Sequence, residues 1–355
     1  MLNINQCIIT VTRACNLRCS FCYAKNTGYK ADEFIDFASL KRLIDFCSDS
    51  RVNFVVLTGG EPMLYPQILD ALRYIKSRPH TMTSAIPTNG ILLSDYEFCR
   101  KVIASGADYL DISLKGKDSQ EWCSVTEYDG FMQQMRAIEN LSQLSGSGMD
   151  FTCSMVITDE NAETFCETVE HAYIAGGRKF SFTFVVDNDK NEEHGRKYLE
   201  IHNPLRLVDK FISQVNILDK ITSGEWWVEY SFPECVYTEE QLAKLHGRLA
   251  SPCHVHKGGS LTFDAKLNLI PCSMFIDYTL GKFGTDFSSL SELESYSQSA
   301  LYEGIMTPPL NTLPSRKCNS CVNKASCLGG CPCFWQHCTF DEFSEFKHDA
   351  LKYRN

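Results

Sequence analysis

Three cysteines near the N-terminus, Cys15, Cys19 and Cys22, are spaced as CxxxCxxC. They follow an apolar run at residues 4–11 that predicts a β-strand. A loop at the end of a strand can direct three thiolates at one point. Three thiolates leave one position open on a four-coordinate zinc ion or on a four-iron cluster. Residues 12–14 and 23–25 include no further cysteine and no histidine. The spacing therefore predicts a metal or cluster site whose open position takes another ligand.

A glycine-rich turn follows the second predicted strand, at residues 52–58. Its sequence is Gly59-Gly60-Glu61-Pro62. The two glycines let the backbone approach a ligand closely, and Glu61 adds a carboxylate. The same residues also suit a plain strand-to-helix turn, so the motif alone leaves both interpretations open.

Strand and helix patterns alternate through the first half of the chain. Six such repeats predict parallel strands with right-handed crossovers, closed into a full or partial barrel. In barrels of this kind the functional residues gather at the C-terminal ends of the strands, where the cysteines and the glycine-rich turn fall. Ser94 is a predicted cap of the helix that ends near residue 104. The predicted strands cover residues 4–11, 52–58, 81–86, 107–114, 150–157 and 179–186.

These motifs together resemble those of radical S-adenosylmethionine (SAM) enzymes. Phe21 occupies the aromatic position before the third cysteine, and residues 59–62 resemble the family's GGEP motif. In that family the three thiolates hold three irons of a 4Fe-4S cluster, and SAM chelates the fourth. The resemblance implies an α/β fold with a partial (β/α)6 TIM-like barrel, and reductive cleavage of SAM to a 5′-deoxyadenosyl radical. With this resemblance and the positions of individual residues, we expect cofactor contacts at Phe21, Tyr23, Gly59, Gly60, Glu61, Asn89, Ser113, Lys115 and Ser154.

The basis for these contacts differs between positions. The resemblance implies that the backbone at Tyr23 contacts adenine. Asn89 lies in a Pro-Thr-Asn-Gly stretch that is first of all a turn signal. Ser113 matches a position where relatives often place a polar residue on the ribose or the methionine carboxylate. Lys115 is either a partner of the SAM carboxylate or a surface lysine. Ser154 is included only for its place in the fifth predicted strand.

Cysteines are concentrated in the C-terminal part of the chain. Of 18 cysteines, eight lie at residue 253 or beyond, and six of those lie within residues 318–338. Cys253 and Cys272 flank a predicted hairpin with strands at residues 260–263 and 267–270. Eight cysteines are more than one structural zinc ion needs. The arrangement resembles the SPASM domain of radical SAM enzymes, which houses auxiliary iron–sulfur clusters.

The resemblance implies two auxiliary clusters with different ligands. His254 and His256 stand near the position where many relatives carry another cysteine, so we expect an open iron or a histidine ligand in the first cluster. Leu267 replaces a glycine of the pattern. Cys333 is an alternative to Cys338, and we interpret Cys235 and the other remaining cysteines as buried apolar residues. The implied ligands are Cys253, Cys272 and Cys331 for the first cluster, and Cys318, Cys321, Cys327 and Cys338 for the second.

These patterns predict three segments along the chain. Residues 1–222 form the barrel, residues 223–252 form a bridging segment, and residues 253–355 form the SPASM domain. The bridging segment is rich in aromatic residues, which we expect to pack an interface or, alternatively, to line a substrate groove. They are Trp226, Trp227, Tyr230 and Phe232.

Composition limits the partners of this chain. It has 34 Lys and Arg against 44 Asp and Glu, a formal charge of −10, which argues against a nucleic acid as partner. No apolar run of membrane length and no charged-then-apolar leader is present, so we expect a cytoplasmic protein without membrane contact. Without a leader, so many cysteines favour metal or cluster ligation over disulfides. The resemblance implies a one-electron donor such as flavodoxin or ferredoxin.

The function expected from the resemblance is oxidative modification of a ribosomally made peptide, by crosslinking or dehydrogenation. A radical dehydrogenase of a small molecule, such as an amino sugar, is an alternative. Sulfatase maturation is another, although those enzymes place an aspartate right after the second hairpin cysteine and this chain has Ser273. A protein of a different class, a cluster-bearing electron carrier or a zinc-binding scaffold, is a further alternative interpretation. The sequence identifies no residue that accepts the substrate proton.

Overall fold

One ten-stranded sheet organises the described part of the chain. The computed structural model describes residues 2–25, 30–146, 148–186, 193–229, 232–250, 253–306 and 310–352. In chain order the strands are β1 Gln6–Thr12, β2 Phe54–Gly59, β3 Thr83–Thr88, β4 Tyr109–Leu114, β5 Asp150–Ile157, β6 Phe180–Phe184, β7 Trp226–Val228, β8 Ser260–Phe263, β9 Asn268–Ile270 and β10 Gly281–Lys282. Across the sheet they follow the order β10-β9-β8-β1-β2-β3-β4-β5-β6-β7.

Strands β1 to β7 lie side by side in chain order and are all parallel. Strand β8 pairs in parallel with the other edge of β1, while β9 and β10 add an antiparallel edge. The order places β7 and β10 at opposite edges, so the sheet is a partial barrel. The predicted α/β class and TIM-like partial barrel are confirmed.

Helices connect the strands and cover the outer face of the sheet. Asp36 caps the first helix by accepting from the Ser39 amide at 2.9 Å, and Asp95 caps the third by accepting from the Phe98 amide at 2.8 Å. Asp95 therefore takes the role predicted for Ser94, which lies in the short turn before it. The helices are α1 Phe37–Asp49, α2 Ile68–Lys76, α3 Tyr96–Ala104, α4 Ser119–Thr126, α5 Phe131–Leu144, α6 Phe165–Ile174, α7 Gly195–Ile201, α8 Pro204–Thr222, α9 Glu239–Lys244, α10 His254–Lys257, α11 Leu290–Tyr296, α12 Ala300–Ile305, α13 Lys324–Cys327 and α14 Phe340–Lys352.

The alternation of side chains along β4 shows how the strands separate core from site. Leu110 and Ile112 are buried in the apolar core. Tyr109, Asp111 and Ser113 alternate with them and are only partly buried. Because successive side chains point to opposite faces of a strand, these three share the face that borders the cavity described below. We call this the inner face of the sheet.

The sheet continues through the segment predicted to bridge two domains. Strand β7 lies within residues 223–252 and pairs with β6, and β8 pairs with β1. Trp226 and Phe232 are buried in the core, where Trp226 contacts the rings of Phe182 and Phe211. The prediction that these aromatics line a groove is wrong for Trp226 and Phe232, because their rings complete the core. Tyr230 lies outside the described residues.

Gly60 is required by the close approach of two loops, and its replacement tests the fold at the site. A Cβ atom at Gly60 would lie 2.3 Å from the Ala14 carbonyl oxygen and 3.0 Å from the Cys15 Cβ. We expect Gly60→Ala to lower the free energy of unfolding of the metal-free protein by about 1–3 kcal/mol, the usual cost of overpacking. Chemical denaturation measures this.

The matched control is Gly304→Ala, in helix α12, where an added Cβ has nothing within 4 Å. It should leave the stability unchanged or raise it slightly, because alanine favours a helix over glycine. Equal effects of the two substitutions would contradict the steric argument.

Candidate functional site

A cavity of about 400 Å³ opens where the parallel strands end. The three N-terminal cysteines and the glycine-rich turn border it from the ends of β1 and β2, and polar residues border it from the ends of β3 and β4. The lining includes Cys15, Cys19, Cys22, Phe21, Tyr23, Gly59, Gly60, Glu61, Asn89, Ser113, Lys115, Thr183 and Cys331. Of the cofactor contacts implied by the resemblance, Ser154 is the one that does not line it.

The cysteine loop is fixed to the protein by backbone contacts. The amides of Arg18 and Ser20 donate to the carbonyls of Thr126 and Val125, at 3.0 and 2.8 Å, so the end of α4 supports the loop. The Arg18 guanidinium donates to the Cys15 carbonyl at 2.9 Å. These contacts tie the cysteine loop to the end of α4.

Burial works against free thiolates in this loop. It raises the pKa of Cys15 to about 11, with Glu61 and the other two cysteines adding to the effect. Burial also raises the pKa of Cys19, although the Lys115 cation opposes this. A bound metal or cluster supplies the positive charge that deprotonates such thiols. At neutral pH the Cys15 and Cys19 thiols are therefore protonated unless a positive charge is bound beside them.

Glu61 is buried at the centre of the site, with 1% of its surface exposed. Its carboxylate accepts three hydrogen bonds: from the Met63 amide at 3.0 Å, the Thr88 hydroxyl at 2.7 Å and the Asn89 amide at 2.8 Å. Burial raises the pKa of Glu61, and these hydrogen bonds oppose the rise. The carboxylate therefore joins the glycine-rich turn to the end of β3, a structural role that the sequence did not reveal.

Asn89 connects β3 to the cysteine loop. Its side-chain amide donates to the Asn16 side-chain oxygen at 2.8 Å, and its own side-chain oxygen accepts from the Ile91 amide at 3.0 Å. The Gln134 side-chain amide donates to the carbonyls of Asn89 and Ser113, at 2.8 and 2.9 Å. Asn89 therefore positions the loop from a buried network.

Lys115 is a buried cation at the edge of the cavity, with 6% of its surface exposed. Its ammonium donates to the Ser113 hydroxyl at 2.7 Å and lies 5.2 Å from the centre of the Phe21 ring. Within the described parts of the chain no ion pair joins this ammonium to a carboxylate. The surface-lysine alternative does not hold, because the side chain is enclosed.

Tyr23 links the cysteine loop to two other segments. Its hydroxyl donates to the Gly59 carbonyl at 3.3 Å and hydrogen-bonds Ser273, just after Cys272. Burial raises the pKa of Tyr23 to about 12, so the phenol stays protonated. Through this contact the hairpin region reaches the cavity.

The C-terminal cysteines lie in two groups. The first, which we call the hairpin thiols, comprises Cys253, Cys272, Cys331 and Cys333. The Cys333 thiol hydrogen-bonds Cys272 and Cys331, and Cys253 interacts electrostatically with the same two. The structure thus places Cys333 with the hairpin cysteines, where the sequence analysis left an open iron or a histidine.

The second group comprises Cys318, Cys321 and Cys327, which border a separate cavity. The structure does not bring Cys338 to them. That thiol is buried and donates to the Phe334 carbonyl at 3.9 Å. Among the residues described, no three His, Cys, Asp or Glu side chains converge closely enough to hold a single metal ion.

Two carboxylates that the sequence analysis missed lie toward the inner face of the sheet. Asp111 precedes Ser113 by two residues on β4 and accepts a hydrogen bond from Ser154. Burial raises its pKa to about 6; Glu229 adds to this, whereas Ser154 and Lys115 oppose it. One oxygen of Asp111 is buried without a hydrogen bond. Glu229 follows β7 and accepts from the Trp227 indole at 2.7 Å. Strand alternation on β4 was the signal that could have identified Asp111.

Comparison with known proteins gives one family match and several curated relatives. Residues 9–172 match the family model of the Radical SAM superfamily. A GTP 3′,8-cyclase of Chlorobaculum tepidum is 33% identical over 133 residues, which are 38% of this chain and 39% of that protein. A probable GTP 3′,8-cyclase of Saccharolobus islandicus is 24% identical over 237 residues, 65% of this chain and 72% of that protein. The match to the Chlorobaculum tepidum protein therefore covers well under two thirds of that protein's length.

Solved structures resemble a larger share of the chain. SuiB of Streptococcus suis bound to the precursor peptide SuiA superposes with a TM-score of 0.65 at 17% identity, covering 92% of this chain and 72% of SuiB. The protein anSMEcpe with bound AdoMet and the Cp18Cys peptide gives 0.65 at 16% identity, covering 98% of each chain. At these identities the likeness shows the fold.

None of the described helices is long and apolar enough to span a bilayer.

The raised pKa of Asp111 leads to a pH-dependent prediction. A carboxyl group whose pKa is higher in the folded protein destabilises the fold once it ionises. The cost grows between about pH 4 and pH 6 and is then constant, at most on the order of 3 kcal/mol. We expect Asp111→Asn to be more stable than the parent at pH 8 and equal to it near pH 4, by denaturation of the cofactor-free protein.

The control is Asp150→Asn, at the start of β5, where the carboxylate is exposed and paired with Lys179. It should give no gain in stability at pH 8. A stability difference for Asp111→Asn that is the same at both pH values would contradict the burial argument.

Proposed function

Because residues 9–172 match the family model of the Radical SAM superfamily, we propose that this chain binds a 4Fe-4S cluster and SAM in its large cavity and oxidises a peptide substrate. The observation that carries the proposal is the arrangement of three thiols, the glycine-rich turn and a buried lysine around one cavity. The modification we favour is a crosslink or a dehydrogenation of a ribosomally made peptide.

The residues present fit an iron–sulfur cluster bound by Cys15, Cys19 and Cys22. All three thiols border the same cavity. The Cys19 and Cys22 thiols add to the raised pKa of Cys15, and Cys22 adds to that of Cys19. The residues around them are held by backbone contacts to the end of α4. Cys thiolates are the usual ligands of such clusters, and three of them leave one iron for another ligand.

The residues also fit SAM at that open position. The Gly59 and Gly60 backbones border the cavity. They also pack closely against β1 and the cysteine loop, since an added Cβ would lie 2.2 Å from the Thr12 oxygen and 2.3 Å from the Ala14 oxygen. Lys115 offers a buried cation, and a buried cation is costly unless an anion accompanies it. The carboxylate of SAM meets that requirement. We assign Lys115 and Ser113 to it, and the glycine-rich turn to the amine.

When bound, the cluster and SAM supply an electron and a 5′-deoxyadenosyl radical that removes a hydrogen atom from a substrate carbon. The protein's own part is to position the substrate and to exclude water. Phe21 covers the Lys115 ammonium, and apolar side chains of β5 and β6, Val156 and Phe184, close the inner side of the cavity. The hairpin thiols reach the same cavity through Cys331, which supports our proposal of a second cluster site that borders it.

The charges of the inner face favour a peptide over GTP. The carboxylates of Asp111 and Glu229 lie toward this face and influence each other. A triphosphate would meet two acids there, whereas a peptide that is neutral or carries a cationic side chain would not be repelled. Two of the solved structures that resemble almost the whole chain, those of SuiB and anSMEcpe described above, hold peptides. GTP is the second candidate, because the curated relatives with the N-terminal match are named GTP 3′,8-cyclases.

The role of Lys115 is tested by Lys115→Met. Loss of a buried, charge-assisted contact to the SAM carboxylate should remove about 1.5–3 kcal/mol, a fall in SAM affinity of roughly one to two decades. Equilibrium dialysis of labelled SAM against the cluster-loaded protein measures it. The matched control is Lys117→Met, two residues later, where the ammonium is partly exposed and pairs with Glu167 at 3.0 Å. Equal affinities in both variants would remove Lys115 from the SAM site.

The substrate class is tested with reduced enzyme, SAM and two sets of candidates. One set contains the products of short genes adjacent to this one, and the other contains GTP. We expect a peptide to lose two hydrogens per event by intact mass, together with 5′-deoxyadenosine. The variant with alanine at Cys15, Cys19 and Cys22 should give neither. Turnover of GTP, with every peptide unchanged, would replace the peptide proposal with the nucleotide one.

A further inference from the structure

A second cavity, of about 160 Å³, is bordered by thiols from two distant parts of the chain. Cys318, Cys321 and Cys327 come from the cysteine-rich segment. The fourth thiol is that of Cys235, in the short helical turn Glu234–Val236, more than eighty residues earlier. The sequence analysis interpreted Cys235 as a buried apolar residue. The structure shows instead that it is exposed and faces the other three cysteines across this cavity.

Contacts on both sides hold Cys235 at the cavity. The Glu234 amide donates to the Cys327 sulfur at 3.3 Å, and the Ser326 hydroxyl donates to the Glu234 carboxylate at 2.6 Å. The Lys347 ammonium donates to the Cys235 carbonyl at 2.6 Å. Neighbouring residues are therefore fastened to the cysteine-rich segment and to α14.

Cys338 has no comparable place. It is absent from the lining of the cavity, its thiol contacts the Phe334 carbonyl, and the nearby charge is that of Glu342. We propose that Cys235, Cys318, Cys321 and Cys327 form one four-thiolate site for an iron–sulfur cluster, with Cys235 rather than Cys338 as the fourth ligand. This goes beyond the proposed function, since it concerns a site separate from the SAM cavity.

The shape and charge of this site suit a cluster better than a zinc ion. A tetrahedral zinc ion draws four sulfurs to about 2.3 Å from one point. Here the thiols surround a cavity, and in the described chain no three ligand side chains converge on a single ion. Lys317 and Lys324 border the cavity and offset the negative charge of the thiolates. The Glu234 amide gives a sulfur the kind of hydrogen bond that tunes cluster potentials.

The first test counts iron in the full chain after anaerobic reconstitution. Alanine at Cys15, Cys19 and Cys22 removes the SAM cluster, so that the iron left is auxiliary. In this background we expect Cys235→Ala to contain less iron than its parent. The loss is about one iron if a three-iron cluster remains and about four irons if the whole cluster is lost. Cys338→Ala is the matched control and should keep the iron of its parent. Iron and sulfide analysis and electron paramagnetic resonance measure both.

The second test needs no cysteine variant. The unaltered protein is alkylated with iodoacetamide before and after the iron is removed by a chelator, and modified cysteines are identified by mass spectrometry. We expect Cys235 to react only after removal of the iron, and Cys338 to stay unreactive in both states because it is buried. Neither test uses SAM cleavage or substrate turnover, so their results are independent of the proposed function.

Three results would overturn the proposal. The first is equal alkylation of Cys235 with and without iron. The second is iron loss in Cys338→Ala with full retention in Cys235→Ala. The third is zinc, rather than iron, removed in stoichiometric amount by Cys235→Ala. Circular dichroism of each variant separates loss of the site from loss of the fold.

Discussion

The buried carboxylate of Glu61 is the interaction on which the whole site depends. A carboxylate in this position costs several kcal/mol unless donors replace the water it has lost. Three donors do so, one from the turn after β2 and two from the end of β3. Asn89 then extends the network to Asn16 in the cysteine loop. Three segments that are distant in sequence are thus held together by this network. Glutamine would place an amide against some of these donors, which explains why an acid suits this position.

The inner face of the sheet can carry charged residues because the apolar side chains of a strand such as β4 pack on the opposite face. On β4 the apolar residues pack outward, so every second position is available for chemistry. Asp111 lies deeper on this face, and Lys115 lies just past the end of the strand, beside the cysteine loop. The Lys115 cation lowers the pKa of Asp111 and so opposes the effect of burial. A ligand with an anionic group near Lys115 and a cationic or neutral group near Asp111 fits this polarity better than one with the reverse arrangement.

Local patterns were enough to predict the strands and the first cysteine loop, because each depends on residues close together in the chain. Strand β7 was missed because three residues give no alternation to detect. Leu267 was noted only as a missing glycine; the structure shows a left-handed backbone there, φ +69°, which a leucine adopts at a cost. The sequence spacing of the cysteines does not predict how the thiols are grouped, because Cys235, Cys333 and Cys338 are chemically alike. Only the fold determines which of them lie close to the other thiols.

The placement of the two thiol groups suggests how they work together. Cys331 belongs to the hairpin thiols and also borders the large cavity, while Cys327 belongs to the four-thiolate site. These two cysteines are four residues apart, so their Cα atoms are at most roughly 14 Å from each other. The Trp335 indole donates to the Gly329 carbonyl between them at 2.6 Å and fixes this short connection. Two thiols of the outer site, those of Cys235 and Cys321, belong to exposed residues. The two thiol groups therefore form a series that begins at the large cavity and ends at exposed residues.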